Sequence, residues 1–265
     1  HVPVEQGGVY YRLVEGKNCA EKEQLFLSHI HGNEDGNRIY YPNVEQKNFE
    51  KIPGCPIGYW VTLTFAETLQ LANLGQVAHP RRTIQCGDVV KYIHLWTEVG
   101  TSDIEQSVDI DVLKSSTKHW FKFIKSTGKA IIPNEGMYFK ECIGYNRITS
   151  NGITARFYKQ GILLGDATSM IVPPENIKYL LALLNSKVST FAMAFFNPTL
   201  AAQTGSLSKV PIKFANIDAI EKIVDFIVKI SKSDWNSHET AWDFQCNELL
   251  SVDEQTYMDN INNFV

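Results

Sequence analysis

The sequence predicts an α/β (α+β) fold in which an irregular, mostly antiparallel sheet is closed by C-terminal helices. Two patterns along the chain support this prediction. Residues 77–170 contain short runs of β-branched and aromatic residues separated by glycine and asparagine turns, which is typical of antiparallel strands. After Pro173 and Pro174 the apolar residues recur at three- and four-residue steps, as they do along one face of a helix.

The first half of the chain contains short predicted elements between polar segments. Residues 9–14, Val-Tyr-Tyr-Arg-Leu-Val, predict a strand, and residues 16–55 are polar and turn-rich. Residues 59–73 predict a helix that stops near a glycine. The runs 89–93 and 154–158 predict two strands of the central sheet.

Two helices are predicted in the C-terminal third. The first begins near Pro174, a residue suited to an early helix position, and the second covers residues 216–230. The apolar positions of the first are Ile177, Leu180, Leu181, Leu184, Val188 and Phe191.

The composition excludes several classes of protein. Hydrophobic residues make up 44% and charged residues 20%, as in a folded soluble domain. No apolar run reaches the roughly 20 residues that span a bilayer, and no leader follows His1, which we interpret as a truncated or tagged start. The five cysteines form no Cys-x-x-Cys pair, which favours a reducing cytoplasm. His29 and His31 lack further ligands at useful spacing, so we expect solvated histidines and no metal site.

The distribution of charge favours a nucleic-acid partner although the net charge is −4. Residues 79–213 hold 16 basic and 10 acidic residues, a net charge of +6, whereas residues 1–78 carry −3 and residues 214–265 carry −7. A basic segment between acidic ends suits phosphate contact, and a solvated charged face is the alternative interpretation.

Five segments are similar to the signatures of one known family. They are Ile-Pro-Gly-Cys-Pro-Ile-Gly-Tyr-Trp at 52–60, Gly-Gln-Val-Ala-His-Pro-Arg-Arg with Gly-Asp at 75–88, Leu-Leu-Asn-Ser-Lys-Val at 183–188, Asn-Pro-Thr-Leu at 197–200, and Lys-Ser-Asp-Trp-Asn-Ser-His-Glu-Thr-Ala-Trp-Asp-Phe at 232–244. In this order they resemble the C-terminal half of the PglX-type BREX adenine-specific DNA methyltransferases. Thr83 and Val89 depart from the family pattern in the region expected to touch DNA, which implies a different target sequence.

The resemblance implies a role in bacterial phage defence. In full-length members an N-terminal domain binds S-adenosylmethionine and methylates adenine. The C-terminal domain, which resembles the specificity domains of restriction-modification systems, selects the DNA site. The expected function is therefore DNA sequence recognition in the bacterial cytoplasm. The expected partners are double-stranded DNA, the N-terminal methyltransferase domain absent from this chain, and other defence-system proteins, with no membrane.

The motifs of methyl transfer are missing from the sequence. An adenine methyltransferase needs a glycine-rich turn for its cofactor and an Asn-Pro-Pro-Tyr type of motif that grips the flipped base. The nearest match, residues 197–200, lacks the second proline and the aromatic residue. We therefore expect this chain to be non-catalytic and to hold no cofactor, with S-adenosylmethionine bound by the parent protein.

Three domains are expected from the resemblance and the composition together. Residues 1–55 form a connecting segment from the catalytic domain, residues 56–213 form the DNA target-recognition domain, and residues 214–265 form a C-terminal helical segment.

The candidate DNA-binding residues fall into three groups. Arg81 and Arg82 follow a stiff proline, and an arginine held rigidly can bind guanine or phosphate. The lysines of the second group suit phosphate contact, and the third group is polar, basic or aromatic around glycine and proline turns. The second group is Lys118, Lys122 and Lys125; the third is Tyr138, Lys140, Arg147, Arg156, Lys159, Asn197, Thr199 and Gln203. For Asn197, Thr199 and Gln203, capping and turn formation is an equally open alternative.

A second function remains open at this stage. The acidic C-terminal segment suits an assembly module that docks another protein of the defence complex and contacts DNA only weakly.

The missing motifs generate a first prediction. The chain alone should bind no S-adenosylmethionine, because it lacks the glycine-rich turn that would seat the cofactor. Isothermal titration of the cofactor into the protein measures this directly. Binding with micromolar affinity would contradict the prediction.

Overall fold

The computed structural model describes residues 7–30, 39–88, 118, 121–149, 152–197, 199–241 and 243–246. The strand predicted at 89–93 lies outside these residues. Within them, helices and small antiparallel sheets are mixed, which confirms the α+β class.

A four-stranded sheet lies at the centre of the described chain. In chain order the strands are β1 (Gly7–Tyr11), β2 (Tyr40–Glu45), β3 (Pro80–Arg81), β4 (Gln85–Cys86), β5 (Ala130–Ile131), β6 (Cys142–Asn146), β7 (Ala155–Tyr158) and β8 (Thr168–Ile171). The central sheet has the order β3-β8-β6-β7, and each neighbouring pair is antiparallel. β1 pairs with β2 and β4 with β5 in two further antiparallel pairs.

The named helices are α1 (Cys19–Ile30), α2 (Leu63–Thr68), α3 (Leu74–Val77), α4 (Ile177–Leu184), α5 (Lys187–Phe196), α6 (Thr204–Leu207) and α7 (Ile217–Asn236). Residues 121–126 are also helical. The helical period predicted after Pro174 is confirmed, but the single helix expected there is divided into α4 and α5, because Asn185 ends the first and the side chain of Ser186 caps the second. The predicted helix 216–230 is confirmed as α7, which continues to Asn236.

The central sheet is covered differently on its two faces because side chains alternate along each strand. On the first face, which we call the helical face, Ile143, Tyr145 and Ile171 are fully buried beneath α4. On the opposite face Cys142 and Met170 pack in a second cluster. Phe121 and Tyr138 belong to that cluster, so helical residues 121–126 lie over one half of the opposite face.

Asn185 joins the end of α4 to the sheet. Its amide group donates to the Ala155 carbonyl (3.1 Å), and its oxygen accepts from the Ala155 amide (3.0 Å). The side chain of Ser186 then caps α5 by accepting from the Ser189 amide. The Asn-Ser-Lys segment identified in the sequence thus ends one helix, starts the next and fastens both to β7.

α7 packs against α4 through one side. Val224 is buried in the main core, and Ile220 and Val228 pack against that core. An ion pair between Lys178 of α4 and Asp225 of α7 (2.7 Å) adds to this contact.

Two predictions for the first half of the chain need correction. The helix predicted at 59–73 covers only Leu63–Thr68, because Thr62 caps its start and the chain turns after Leu69. The segment 16–55, expected to be turn-rich, contains α1, β2 and a 3₁₀ turn. Aromatic residues of this segment hold it to β1. For example, Phe26 of α1 packs edge-on against Tyr11 of β1.

Among the described residues, a single helix that is both long and apolar enough to cross a membrane is not found; only α4 and α5 taken together reach that length and composition, and they meet at 64°.

The close approach at Gly144 generates a second prediction. A Cβ at this position would lie 2.5 Å from Tyr158 Cε2 and 2.9 Å from Thr168 Cγ2. Gly144→Ala should therefore lower the free energy of unfolding by about 1–3 kcal/mol, the usual range for overpacking. Urea denaturation measures the change.

Gly136→Ala is the matched control for Gly144→Ala. A Cβ at Gly136 would meet no atom within 4 Å. Equal stability of the two variants would show that the Tyr158 ring moves aside without cost.

Candidate nucleic-acid interface

The register of the central sheet puts two arginines on one face. Arg81 lies opposite Met170, Met170 opposite Gly144, and Gly144 opposite Arg156. Directly opposed residues of antiparallel strands share a face, so both arginines lie on the face away from α4. They belong to the two outermost strands, three strand spacings or about 14 Å apart.

The next row along the same face is polar. Asn146 lies opposite Thr168, and its backbone amide donates to the carbonyl of Thr154, the residue before β7 (3.4 Å). Arg81, Thr154 and Arg156 are exposed, and Asn146 and Thr168 are partly exposed. We call this surface the open sheet face; its residues are Arg81, Asn146, Thr154, Arg156 and Thr168.

Gly144 separates the open sheet face from the covered half of the sheet. The contacts of its missing Cβ show that the Tyr158 ring and the Thr168 methyl fill the space above it. The buried cluster around Phe121 lies on the Tyr158 side. The polar row on the other side of Gly144 is left accessible to a ligand.

An apolar residue ends the open sheet face. Ile148 lies opposite Ala201 in an antiparallel bridge, held by bonds from the Thr149 amide to the Leu200 carbonyl (2.9 Å) and from the Ala202 amide to the Arg147 carbonyl (2.7 Å). Ala202 is buried in the core under the helical face. Since neighbouring residues point to opposite sides, Ile148 points to the open side, and it is 76% exposed.

The predicted lysines lie beside the open sheet face. The helical residues 121–126 pack on the same face of the sheet, and Lys118 and Lys122 are exposed. Lys125 is also exposed but forms an ion pair with Glu135, so its positive charge attracts an anionic ligand less strongly. Lys140 and Lys159 are also exposed. Lys140 lies just before β6 and Lys159 just after β7, at the end of the sheet that is farther from Asn146.

Arg82 and Arg147 are placed differently from Arg81 and Arg156. The guanidinium of Arg147 pairs with the Asp166 carboxylate and donates to the Asp166 carbonyl (3.2 Å). Arg82 is exposed, and its carbonyl accepts from the side-chain amide of Asn134 (3.0 Å). Both arginines lie near the buried Tyr145 hydroxyl; burial raises the pKa of Tyr145 to about 12, and the two positive charges oppose that rise.

Tyr138, which the sequence analysis named as a candidate DNA-binding residue, is buried and not on the surface. It is 2% exposed, its hydroxyl donates to the Pro133 carbonyl, and its ring packs edge-on against Phe121. Burial raises its pKa. Tyr138 is a core residue, because the irregular turn before β6 folds its aromatic ring inward.

The loop after α5 uses its polar groups internally. The Asn197 side-chain amide donates to the Ala201 carbonyl, and the Thr199 hydroxyl donates to Asn197 Oδ1 (2.9 Å). These bonds favour the turn-forming alternative for Asn197 and Thr199. Gln203 is exposed at the start of α6, where its side chain makes no capping bond.

The sequence reasoning missed the centre of this surface. Asn146, Thr154 and Thr168 were not among the candidates, and neither was Ile148. The alternation in 142–146 and 154–158 carried a signal for the two faces, but only the pairing of β6 with β8 brings Thr168 beside Asn146.

No group of three or more metal-ligating side chains is found within the part of the chain that the structure describes. His29 packs against Tyr11 and Tyr40, and His31 lies outside that part.

The comparisons with known proteins place the chain beside two bacterial methyltransferases. It is 28% identical over 272 residues to the adenine-specific methyltransferase BrxX of Escherichia coli O9:H4 (strain HS), covering 91% of this chain and 21% of that protein. It is 27% identical over 285 residues to the adenine-specific methyltransferase PglX of Lacticaseibacillus casei (strain Zhang), covering 92% of this chain and 23% of that protein. No protein-family model matches the chain.

These similarities confirm the resemblance found in the sequence motifs. The chain spans about a fifth of the length of the two relatives.

The ion pair of Arg147 generates a third prediction. Asp166→Asn should strengthen binding to duplex DNA of any sequence, because it removes the negative charge that neutralises the Arg147 guanidinium. The plot of log affinity against log salt should steepen by up to about one unit. Fluorescence anisotropy with a labelled duplex at several KCl concentrations measures both effects.

Asp225→Asn is the matched control, since Asp225 is also paired, with Lys178, but in the contact between α4 and α7. If the two variants strengthened binding equally, the effect would come from net charge alone and not from Arg147.

Proposed function

Because this chain is homologous to BREX adenine-specific methyltransferases over about 91% of its length, we propose that it is the DNA sequence-recognition module of such an enzyme. In this proposal it binds duplex DNA through the open sheet face and the lysines beside it. The resemblance to the specificity domains of restriction-modification systems belongs to the same proposal.

The open sheet face is the observation that carries the proposal. It combines a polar row with an exposed arginine on each outer strand, and it lies within residues 79–213, which carry a net charge of +6. A DNA-reading surface needs both kinds of group, because charged side chains hold the phosphates while polar side chains reach the base edges.

The positions of the basic residues suggest a division of roles. Lys118 and Lys122 have flexible stems that suit point-charge contact with phosphate. Arg81 and Arg156 stand at the two borders of the polar row, where a planar guanidinium can hold the DNA backbone on either side. Lys140 and Lys159 extend the basic surface toward the far end of β6 and β7.

The remaining functions of the enzyme are assigned to other parts of the polypeptide. We propose that S-adenosylmethionine and the target adenine are bound by a methyltransferase domain, while this module selects the site. Residues 56–213 would form the recognition domain, preceded by a connecting segment at 1–55 and followed by a helical segment at 214–265. The bacterial cytoplasm, where DNA is available, is the proposed location.

A second candidate function rests on a different surface. On α7 the residues Ile223, Phe226, Ile227 and Ile230 are 58%, 64%, 53% and 53% exposed, and their spacing puts them on one stripe of the helix. An exposed apolar stripe of this kind favours protein docking, so the chain would be an assembly module with weak DNA contact.

The salt dependence of DNA binding separates these functions and is a fourth prediction. With 4–8 phosphate contacts the log–log slope should be roughly −4 to −7, because each neutralised phosphate releases counterions. The double variant Arg81→Ala, Arg156→Ala should weaken binding at least about tenfold and make the slope shallower by about two units. Anisotropy titrations at several salt concentrations measure both quantities.

Lys229→Ala is the control for this experiment. Lys229 is exposed on α7, so its removal should leave the slope nearly unchanged. A wild-type slope shallower than about −2 would instead favour the assembly function, since fewer phosphates would then be neutralised.

A further inference from the structure

We propose that Asn146 and Ile148 are specificity-determining residues that read an A·T-containing step in the major groove. Asn146 would bind an adenine edge, and Ile148 with Ala201 would contact the methyl group of a nearby thymine. This inference rests on the proposed function and names the DNA sequence class that the open sheet face selects.

Asn146 has the position and the free groups that adenine recognition needs. It lies at the end of β6, in the middle of the polar row, between Thr168 and Thr154. Within the described residues its side-chain amide makes no hydrogen bond, although the side chain is partly exposed. An asparagine amide offers one donor and one acceptor side by side, which matches the N7 acceptor and the N6 donor of adenine.

Ile148 has an exposure that the fold does not explain. At 76% it is the most exposed large apolar side chain among the described residues. The bridge to Ala201 and the bonds on either side of it hold the backbone of Ile148 in place. A rigid, exposed methyl surface on the DNA-facing side suits the C5-methyl group of thymine, which only the major groove displays.

The spacing of Asn146 and Ile148 limits the distance between the adenine and the thymine that they would contact. Asn146 ends β6 and Ile148 follows two residues later on the same side, so the two are at most about 6.6 Å apart along the chain. Since base pairs are about 3.4 Å apart along the axis, the thymine should lie within about two steps of the adenine.

The test begins with selection of preferred duplexes from a randomised pool by the whole chain. In the best duplex each thymine is then replaced by deoxyuridine, which lacks only the methyl group. The wild type should lose about five- to tenfold in affinity at one such position. Ile148→Ser should bind the thymine and deoxyuridine duplexes equally at that position.

Asn146→Asp tests the adenine contact. The variant exchanges the amide donor for a second acceptor, so the preference for adenine at one position should disappear in a repeated selection. Leu200→Ser is the matched control, because Leu200 is also apolar and 63% exposed but flanks the bridge and is not part of it. It should retain the wild-type response to deoxyuridine.

Each other outcome overturns the inference in a recognisable way. Salt-sensitive binding without sequence preference would contradict the reading residues but leave DNA binding intact. A sequence preference that is insensitive to deoxyuridine, or unchanged in both variants, would place the reading residues elsewhere. Failure of the wild type to bind duplex DNA at low salt would contradict the proposed function itself.

Discussion

Strand β6 is hydrogen-bonded on both sides, and its register determines which side chains share a surface. Its pairing with β8 and β7 puts Ile143 and Tyr145 under α4, whereas Gly144 and Asn146 face the other way. A slip of one residue would exchange these two sets. Burial of Ile143, Tyr145 and Ile171 on the helical face therefore determines which side chains lie on the open sheet face. The buried apolar residues position the polar ones without touching them.

The elements with strong periodicity could be predicted from the sequence. The apolar patterns of α4, α5 and α7 are long enough to specify helices, and the run at 154–158, with one β-branched and two aromatic residues between turns, specifies a strand. The segment 16–55 could not be predicted, because its structure depends on aromatic contacts with residues distant in sequence, such as that of Tyr40 with Tyr11, whose ring centroids are 5.1 Å apart. The helix at 59–73 was overestimated because periodicity does not show where a side chain such as Thr62 caps the backbone.

The candidate site could be predicted only in part, for a related physical reason. Charge is visible in a sequence, so the exposed Arg81, Arg156 and Lys122 were found. Burial and pairing are tertiary properties. Tyr138 was therefore assigned to the surface although its ring is in the core, and the neutralisation of Arg147 by Asp166 was missed. Asn146 was overlooked because nothing in the sequence shows which residues of the neighbouring strands lie beside a single asparagine.

The bonds of Asn185 have a consequence for how the protein behaves at high concentration. Within the described residues β7 is an edge strand of the central sheet, and an edge strand can pair with another chain and start aggregation. Ala155 turns its amide and carbonyl away from β6, and both are bonded to the Asn185 side chain. The asparagine thus substitutes for one residue of a missing neighbouring strand. It occupies the outer hydrogen-bonding position of the edge and so protects the sheet from growing.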